Sequence, residues 1–246
     1  MMSSMDEYDA RFLDEDHRFH AGYLTEERAD LEAAEVLGLL DLDGPSRVID
    51  AGCGDGRIAV RLASLGHDVV AIDADPGQVG RAARLAAARG VDVDLRVADL
   101  TTLVVDPPAD AALLWFTTFG FLSDPANAAV LDNLRRGLVD GARLVIDTLD
   151  PSVVAEELEA DPAPVLVVDG GWTQEDRRHF DRSSGRLVVD RVVTGPTGRS
   201  VRRLQLWLPS RHLWPAVLET AGFRLLAVEE PPDDAWAIRL VAAAGR

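Results

Sequence analysis

The sequence of 246 residues predicts an α/β fold with a doubly wound, mostly parallel sheet. Three observations lead to this prediction. Short apolar segments bounded by Gly, Pro or Asp alternate with segments of helical spacing, as expected for buried parallel strands and their crossover helices. A glycine-rich turn follows the first apolar segment. Beyond residue 150 the spacing of apolar residues changes to a period of two, which is typical of antiparallel strands.

The parallel part of the sheet is predicted over residues 47–150. Its strands are expected at Arg47–Ala51, Asp68–Asp73, Val91–Val97, Ala111–Phe116 and Ala142–Thr148. The helices between them are expected at Gly56–Leu65, Gly77–Arg89 and Pro125–Leu138. Alternating strands and helices imply right-handed crossovers.

Two segments flank this core in the predicted organisation. Residues 1–46 form a helical cap, because apolar residues recur at helical spacing until Asp43-Gly-Pro-Ser46 interrupts them. Residues 151–208 form a short helix (Val153–Glu159) and an insertion of three antiparallel strands, which is either a flap over a binding site or a dimer surface. Those strands are expected at Trp172–Arg182, Arg186–Thr194 and Ser200–Leu208. Residues 209–246 return to the core with a helix over Arg211–Ala221 and strands over Phe223–Glu230 and Trp236–Ala243.

The composition excludes several classes of function. A formal net charge of −17 disfavours nucleic acids and anionic membranes as partners. All basic residues other than histidine are arginine, so Schiff-base lysine chemistry and P-loop phosphate binding are excluded. Cys53 is the single cysteine, which precludes an internal disulfide. With no signal peptide or membrane-spanning run visible, we expect a cytoplasmic protein.

The turn after the first strand carries Gly52, Gly54 and Gly56. Glycine lets the backbone approach a ligand closely, and the carboxyl end of a first strand is where an open α/β sheet binds a nucleotide-like ligand. A dinucleotide site would have a third glycine where this chain has Arg57. The segment Val-Ile-Asp-Ala-Gly-Cys-Gly-Asp-Gly instead resembles the first motif of class I S-adenosylmethionine-dependent methyltransferases.

Three further segments extend the resemblance in the same order. Asp73 ends the second strand 21 residues after Gly52, Asp99 follows the third strand, and the fourth strand ends at Trp115 and Phe116. The resemblance implies a Rossmann-like sheet of seven strands, the last antiparallel, and S-adenosylmethionine as cofactor. The implied cofactor-binding residues are Asp50, Ala51, Gly52, Cys53, Gly54, Asp73, Ala74, Asp99, Leu100, Trp115 and Phe116.

Each acidic residue in this set has a structural alternative. Asp73 can be a helix cap before Pro76, and Asp99 can be an ordinary turn residue. Asp50 either contacts the methionine part of the cofactor or orients the glycine loop. These alternatives stay open at the level of sequence.

The resemblance implies an acceptor site above the strand ends. The candidate acceptor-binding residues are aromatic: Tyr8, Phe12, Tyr23, Phe119, Phe121 and Trp172. Candidate general bases are His17, His20 and His179, although solvent-exposed histidines and core phenylalanines are the alternatives. Glu15, His17 and His20 lack a further ligand nearby, so no metal site is predicted.

The leading hypothesis is methyl transfer to oxygen, nitrogen or carbon of a small organic molecule, in specialised metabolism, by a monomer or homodimer. A non-catalytic binding protein of the same fold is the first alternative, because no obligatory catalytic residue exists whose absence would exclude it. A nicotinamide-dependent oxidoreductase is the second. Arg57 at the third glycine position and the absence of lysine argue against that oxidoreductase.

Overall fold

Eleven strands form two sheets in a computed structural model that describes residues 19–20, 22–232 and 234–245. The strands are β1 (Arg47–Ala51), β2 (Asp68–Asp73), β3 (Asp94–Val97), β4 (Ala109–Leu114), β5 (Leu138–Leu149), β6 (Val165–Asp169), β7 (Trp172–Asp181), β8 (Arg186–Gly195), β9 (Gly198–Trp207), β10 (Phe223–Glu229) and β11 (Ala237–Ala244). The helices are α1 (Glu26–Leu40), α2 (Ala59–Ser64), α3 (Pro76–Arg89), α4 (Asp124–Arg136), α5 (Pro151–Ala160) and α6 (Trp214–Thr220), with a 3₁₀ turn at Leu100–Thr102.

The larger sheet has seven strands in the order β10-β11-β5-β4-β1-β2-β3. Strands β1 to β5 pair in parallel, and β11 runs antiparallel to both β5 and β10. This confirms the predicted seven-stranded, mostly parallel sheet with an antiparallel last strand. The chain leaves β1 towards β2 on one side and later returns to β4 on the other, so a crevice opens beyond the carboxyl ends of these strands.

Apolar clusters cover both faces of the larger sheet, which confirms the doubly wound arrangement. Helices α1 and α2 pack on one face through side chains such as Val36 and Leu62, and α4 and α6 pack on the other through Leu134 and Trp214. All four of these side chains are buried. Burial on both faces explains the continuous apolar runs in the central strands.

Helices α3 and α5 begin at the same dipeptide, an aspartate followed by proline. The Asp75 carboxylate accepts hydrogen bonds from the amides of Gly77 and Gln78, and Asp150 accepts from that of Ser152. Aspartate at the N-cap with proline at the first helical position is a favoured helix start. Both helices therefore begin just beyond the carboxyl edge of the larger sheet.

The smaller sheet is antiparallel and has four strands in the order β6-β7-β8-β9, where the sequence predicted three. The missed strand, β6, follows Pro162 and Pro164 and turns into β7 through Gly170 and Gly171, whose φ values are 52° and 83°. Alternate residues of β6 are exposed. A positive φ at both turn residues suits a tight hairpin.

The smaller sheet packs over the carboxyl edge of the larger one. Its buried Leu187 and Leu206 form an apolar cluster with Val154 of α5 and with Phe121. The Trp207 amide at the end of β9 donates to the Gly120 carbonyl at 2.9 Å. A Cβ atom at Gly120 would lie 2.4 Å from the Trp207 carbonyl oxygen, so this approach requires glycine. The loop after β4 is thereby fixed to the smaller sheet.

No helix formed by the described residues is both long and apolar enough to cross a bilayer.

Candidate active site

The glycine loop turns directly after β1 with positive φ at Gly52, Gly54 and Gly56 (78°, 56° and 79°). A Cβ at Gly52 would lie 2.3 Å from Cγ2 of Thr118, and one at Gly56 would lie 2.6 Å from Cβ of Ala82. These two glycines therefore permit close packing. Gly54 is different, because no atom lies within 4 Å of the position that its Cβ would take. The loop is open to a ligand at Gly54.

Asp73 is bound to the glycine loop and does not cap a helix. Its Oδ2 accepts a hydrogen bond from the Gly54 amide and its Oδ1 accepts one from the Asp75 amide, both at 2.9 Å. The cap of α3 is Asp75. Burial raises the pKa of Asp73 above its ordinary value, and the two amide donors oppose that shift. Each oxygen retains a lone pair beyond the one that its amide donor uses.

Asp99 caps the 3₁₀ turn after β3. Its Oδ1 accepts hydrogen bonds from the amide and the hydroxyl of Thr101, both at 2.8 Å. Asn133 of α4 donates to the carbonyl of Leu100 at 2.8 Å and so fixes the next residue. Asp99 is thus a turn residue, as the structural alternative states, and it also lines the cleft.

Asp50 lies beneath the glycine loop, where 2% of its surface is exposed. Burial raises its pKa to about 7, while the Arg57 guanidinium lowers it and the Asp73 carboxylate raises it. Its Oδ2 accepts no hydrogen bond from the described residues. Asp50 lines a small cavity of about 130 Å³ together with Cys53, whose pKa is also raised by burial.

A buried ion pair that the sequence did not suggest anchors α1 to this site. Glu32 accepts hydrogen bonds from Trp115 Nε1 at 2.8 Å, from Arg28 Nε at 2.6 Å and from Arg57. Burial raises the pKa of Glu32, but Arg57 and the hydrogen bonds outweigh burial and hold it below its ordinary value. Arg57, the residue that breaks the dinucleotide pattern, therefore binds α1. The sequence feature that could have indicated this ion pair is Glu32 itself, a glutamate within the apolar stripe of the helix α1.

The loop after β4 begins with two strained residues. Phe116 and Thr117 have φ values of 55° and 61°, which non-glycine residues seldom adopt. Because these values are incompatible with an extended strand, β4 ends at Leu114 and not at Phe116, where the sequence predicted its end. The Phe116 ring centroid lies 5.9 Å from that of His20 and 6.3 Å from that of Tyr23. Such strain often marks a functional loop.

A cleft of about 1000 Å³ joins these parts to the smaller sheet. Gly52, Asp73 and Asp99 line one part of the cleft, and Leu187 and Leu206 of the smaller sheet line another. Small-molecule sites usually measure about 300–1000 Å³, so the cleft has room for a cofactor and a second molecule.

The structure brings most of the predicted site residues to these two cavities. The predicted residues that line one or both are Asp50, Gly52, Cys53, Gly54, Asp73, Ala74, Asp99, Leu100, Trp115, Phe116, His20, Tyr23 and Phe121. Tyr8, Phe12, Glu15 and His17 lie outside the described residues. Among the described residues, no three His, Cys, Asp or Glu side chains are grouped as metal ligands.

Four candidates do not line either cavity. Ala51 is buried in β1, and Phe119 packs in the core against Trp214 with ring centroids 5.5 Å apart. The Trp172 ring lies against Gly195, where a Cβ would approach within 2.1 Å. His179 is exposed, because the alternation of β7 directs its neighbour Arg178 to the cleft and His179 to the opposite face. This geometry gives Phe119, Trp172 and His179 no contact with the cleft.

Asp147 is a cleft residue that sequence reasoning missed. It lies in β5, and burial raises its pKa to about 7, with Arg239 lowering it and Glu32 raising it. The signal that identified Asp73, an acid near the end of a buried parallel strand, also applies to Asp147. Arg178 also lines the cleft and was likewise missed.

Comparisons with known proteins agree with this geometry. Residues 48–141 match the family described as methyltransferase domain. A ubiquinone biosynthesis O-methyltransferase of Xylella fastidiosa is 32% identical over 111 residues, which cover 45% of this chain and 44% of that protein. The match therefore spans less than half of the relative's length.

Two solved structures are similar over most of the chain. An S-adenosylmethionine-dependent methyltransferase from Clostridium acetobutylicum has a TM-score of 0.76 at 11% identity, covering 96% of this chain and 98% of that one. An S-adenosylmethionine-bound amino pentose methyltransferase from Micromonospora echinaspora, involved in calicheamicin biosynthesis, has a TM-score of 0.64 at 20% identity and covers 91% and 94%. Residues 48–141 are therefore similar to the methyltransferase domain family, and the chain has the fold of the S-adenosylmethionine-dependent methyltransferase structures that it resembles.

Proposed function

We propose that this chain transfers a methyl group from S-adenosylmethionine to a small organic molecule. One observation carries the proposal: the Asp73 carboxylate, which accepts a hydrogen bond from the open Gly54 position, lies at one end of a cleft that continues to the smaller sheet and its apolar Leu187 and Leu206. A site with two such ends can hold a cofactor and an acceptor side by side.

The residues present fit this cofactor. Gly54 has no side chain to obstruct a ligand, and Asp73 keeps lone pairs that can accept hydrogen bonds from ribose hydroxyls. Asp50 and Asp55 line the small cavity beside the loop and provide a negative potential that suits the cationic methionine end. Asp99 and Leu100 line the larger cleft beyond Asp73 and are the proposed adenine contacts.

The bound cofactor would supply an electrophilic methyl group that needs no further activation. The protein then contributes by holding the acceptor in line and by excluding water. Phe116, His20 and Tyr23 contact one another where the two cavities meet, and we assign them this enclosing role. A base is required only if the acceptor must lose a proton. His20 and Asp147 are two of the cleft residues whose chemistry permits that transfer.

We infer that the acceptor atom is oxygen, nitrogen or carbon of a specialised metabolite. Similarity to an enzyme involved in calicheamicin biosynthesis supports this inference. The net charge of −17 supports a small acceptor over a nucleic acid. The proposal includes cytoplasmic action as a monomer or homodimer, with Tyr23 and Phe121 among the acceptor contacts.

Calorimetric titration with S-adenosylhomocysteine tests the cofactor assignment, with NAD as the matched negative ligand. We expect saturable binding of the first and none of the second. Incubation with methyl-labelled S-adenosylmethionine and pools of small hydroxy, amino and carboxy compounds then tests transfer. Binding of NAD in place of S-adenosylhomocysteine would refute the proposal. Cofactor binding without labelled product from any pool would favour a non-catalytic binding protein.

A further inference from the structure

The smaller sheet presents one face to the cleft, and the side chains of that face that line the cleft are aliphatic apart from two arginines, Arg178 and Arg191. Arg178 of β7 pairs across the strands with Val189 of β8, which pairs in turn with Leu204 of β9. Leu187 and Leu206 form the next cross-strand pair, and all five side chains line the cleft. Residues paired across strands lie on the same face of a sheet. An acceptor held here therefore contacts an aliphatic surface with arginine beside it.

The other charged side chains in this half of the cleft each lie beside an opposite charge. The Arg191 guanidinium makes two hydrogen bonds with the Asp176 carboxylate, at 2.8 and 2.7 Å. The remaining pairs are Asp147 with Arg239 at 3.2 Å and Asp234 with Arg28 at 3.9 Å. These charges are internally compensated and leave little net attraction for a ligand.

Arg178 differs from them. Among the described residues no carboxylate lies within ion-pair distance of it, and its buried Nε donates no hydrogen bond. Its guanidinium carbon lies 5.6 Å from the centroid of the Trp236 ring, which also lines the cleft. A buried donor without a partner is costly, so native proteins rarely leave one unsatisfied. The planar guanidinium is suited to binding a carboxylate through two parallel hydrogen bonds.

We propose that the methyl acceptor carries a carboxylate, which Arg178 binds, joined to an apolar body that contacts the smaller sheet. This inference rests on the proposed function and specifies its substrate class. A neutral acceptor of the same shape would displace water from Arg178 without replacing the lost hydrogen bonds. An uncompensated guanidinium in a chain of net charge −17 provides local attraction against the repulsive field of the whole protein.

The test compares matched carboxylate and amide probes on protein saturated with S-adenosylhomocysteine. The probes are benzoate, hydrocinnamate and octanoate, each with its primary amide, and binding is followed by ligand-observed NMR. We expect the unaltered chain to bind at least one carboxylate about tenfold more tightly than its amide, as loss of a charged hydrogen bond implies. In Arg178→Gln this preference should disappear, and in Arg178→Lys it should be reduced.

The matched control is Arg177→Gln. Arg177 is exposed on the opposite face of β7, pairs with Glu175, and should leave the carboxylate preference unchanged when substituted. Affinity for S-adenosylhomocysteine, measured on every variant, reports an intact fold. Absence of any carboxylate preference in the unaltered chain, or its persistence in Arg178→Gln, would overturn the inference. Failure of S-adenosylhomocysteine to bind the unaltered chain would instead overturn the proposed function.

Discussion

The backbone amide of Gly54 donates a hydrogen bond of 2.9 Å to Oδ2 of Asp73, across 19 residues of sequence. This bond joins the glycine loop after β1 to the carboxyl end of β2. The loop conformation and the carboxylate position therefore depend on each other. An aspartate in this position both shapes the loop and leaves oxygen lone pairs for a ligand.

Replacement of Asp73 by asparagine should weaken cofactor binding. Asparagine keeps one acceptor oxygen but directs an NH₂ group at one of the two amide donors, Gly54 or Asp75. We expect the dissociation constant for S-adenosylhomocysteine to rise tenfold or more, measured by calorimetry. Asp68→Asn, at the exposed start of the same strand, is the control. Equal affinity in the Asp73 variant and the unaltered chain would mean that this carboxylate does not contact the ligand.

Gly52 should not tolerate a side chain. In Gly52→Ala, the new Cβ would lie 2.3 Å from the Thr118 methyl carbon, and φ at this position is +78°. We expect a loss of about 1–3 kcal/mol in the free energy of unfolding, measured with urea, together with weaker S-adenosylhomocysteine binding. The control is Gly80→Ala inside α3, where the nearest atom would be 3.7 Å away. Alanine there should stabilise by about 0.5–1 kcal/mol. Unchanged stability in Gly52→Ala would contradict the close packing against Thr118.

Asp147 should make stability depend on pH in the neutral range. Its pKa is raised from 3.8 to about 7 on folding, so between these values the folded state binds more protons than the unfolded state. Stability from this group is therefore present at low pH and is lost as pH rises towards 7. In Asp147→Asn, the free energy of unfolding should fall less between pH 5 and pH 8 than in the unaltered chain. As a control, Asp92→Asn, at an exposed position, should keep the full pH dependence of the free energy of unfolding. If the free energy of unfolding varied with pH in the same way in all three proteins, Asp147 would not be the cause of that dependence.

Local sequence patterns sufficed for the larger sheet but not for the smaller one. Strands such as β1 and β4 are buried on both faces, so their apolar runs are visible without knowledge of their neighbours. In β7 both faces carry polar residues, and choosing between Arg178 and His179 requires knowing which face meets the cleft. The structure shows that Arg178 faces the cleft and His179 does not. Strand β6 was not predicted, because prolines precede it and alternate residues are exposed.

The glycine-loop end of the cleft was predictable because glycine loops and strand-end acids occur at regular spacings. Gly52, Asp73 and Asp99 were identified in this way and do line the cleft. Contacts between distant segments leave no such spacing. The hydrogen bond from Trp115 to Glu32 spans 83 residues, and nothing within either segment identifies the other as its partner.

Replacement of Glu32 should both destabilise the packing of α1 and weaken ligand binding at the proposed cofactor site. Only 4% of its surface is exposed, and it binds Arg57 of the glycine-loop segment and Trp115 at the end of β4. In Glu32→Gln, the buried Arg57 would lose its negative partner, which typically costs about 3–5 kcal/mol. Because the pKa of Glu32 is lowered from 4.5 on folding, its contribution is present above that pH and declines in acid.

Urea unfolding at pH 7 should therefore show the Glu32→Gln variant to be strongly destabilised, with the difference from the unaltered chain narrowing as pH falls below 4.5. Glu27→Gln is the matched control, since Glu27 lies on the same helix but is exposed. At urea concentrations where the Glu32→Gln variant is still folded, its affinity for S-adenosylhomocysteine should also fall. Arg57 and Trp115, which would lose contact with the carboxylate, line the small cavity together with Gly54. A variant that loses stability but binds the ligand normally would limit Glu32 to holding α1 on the core.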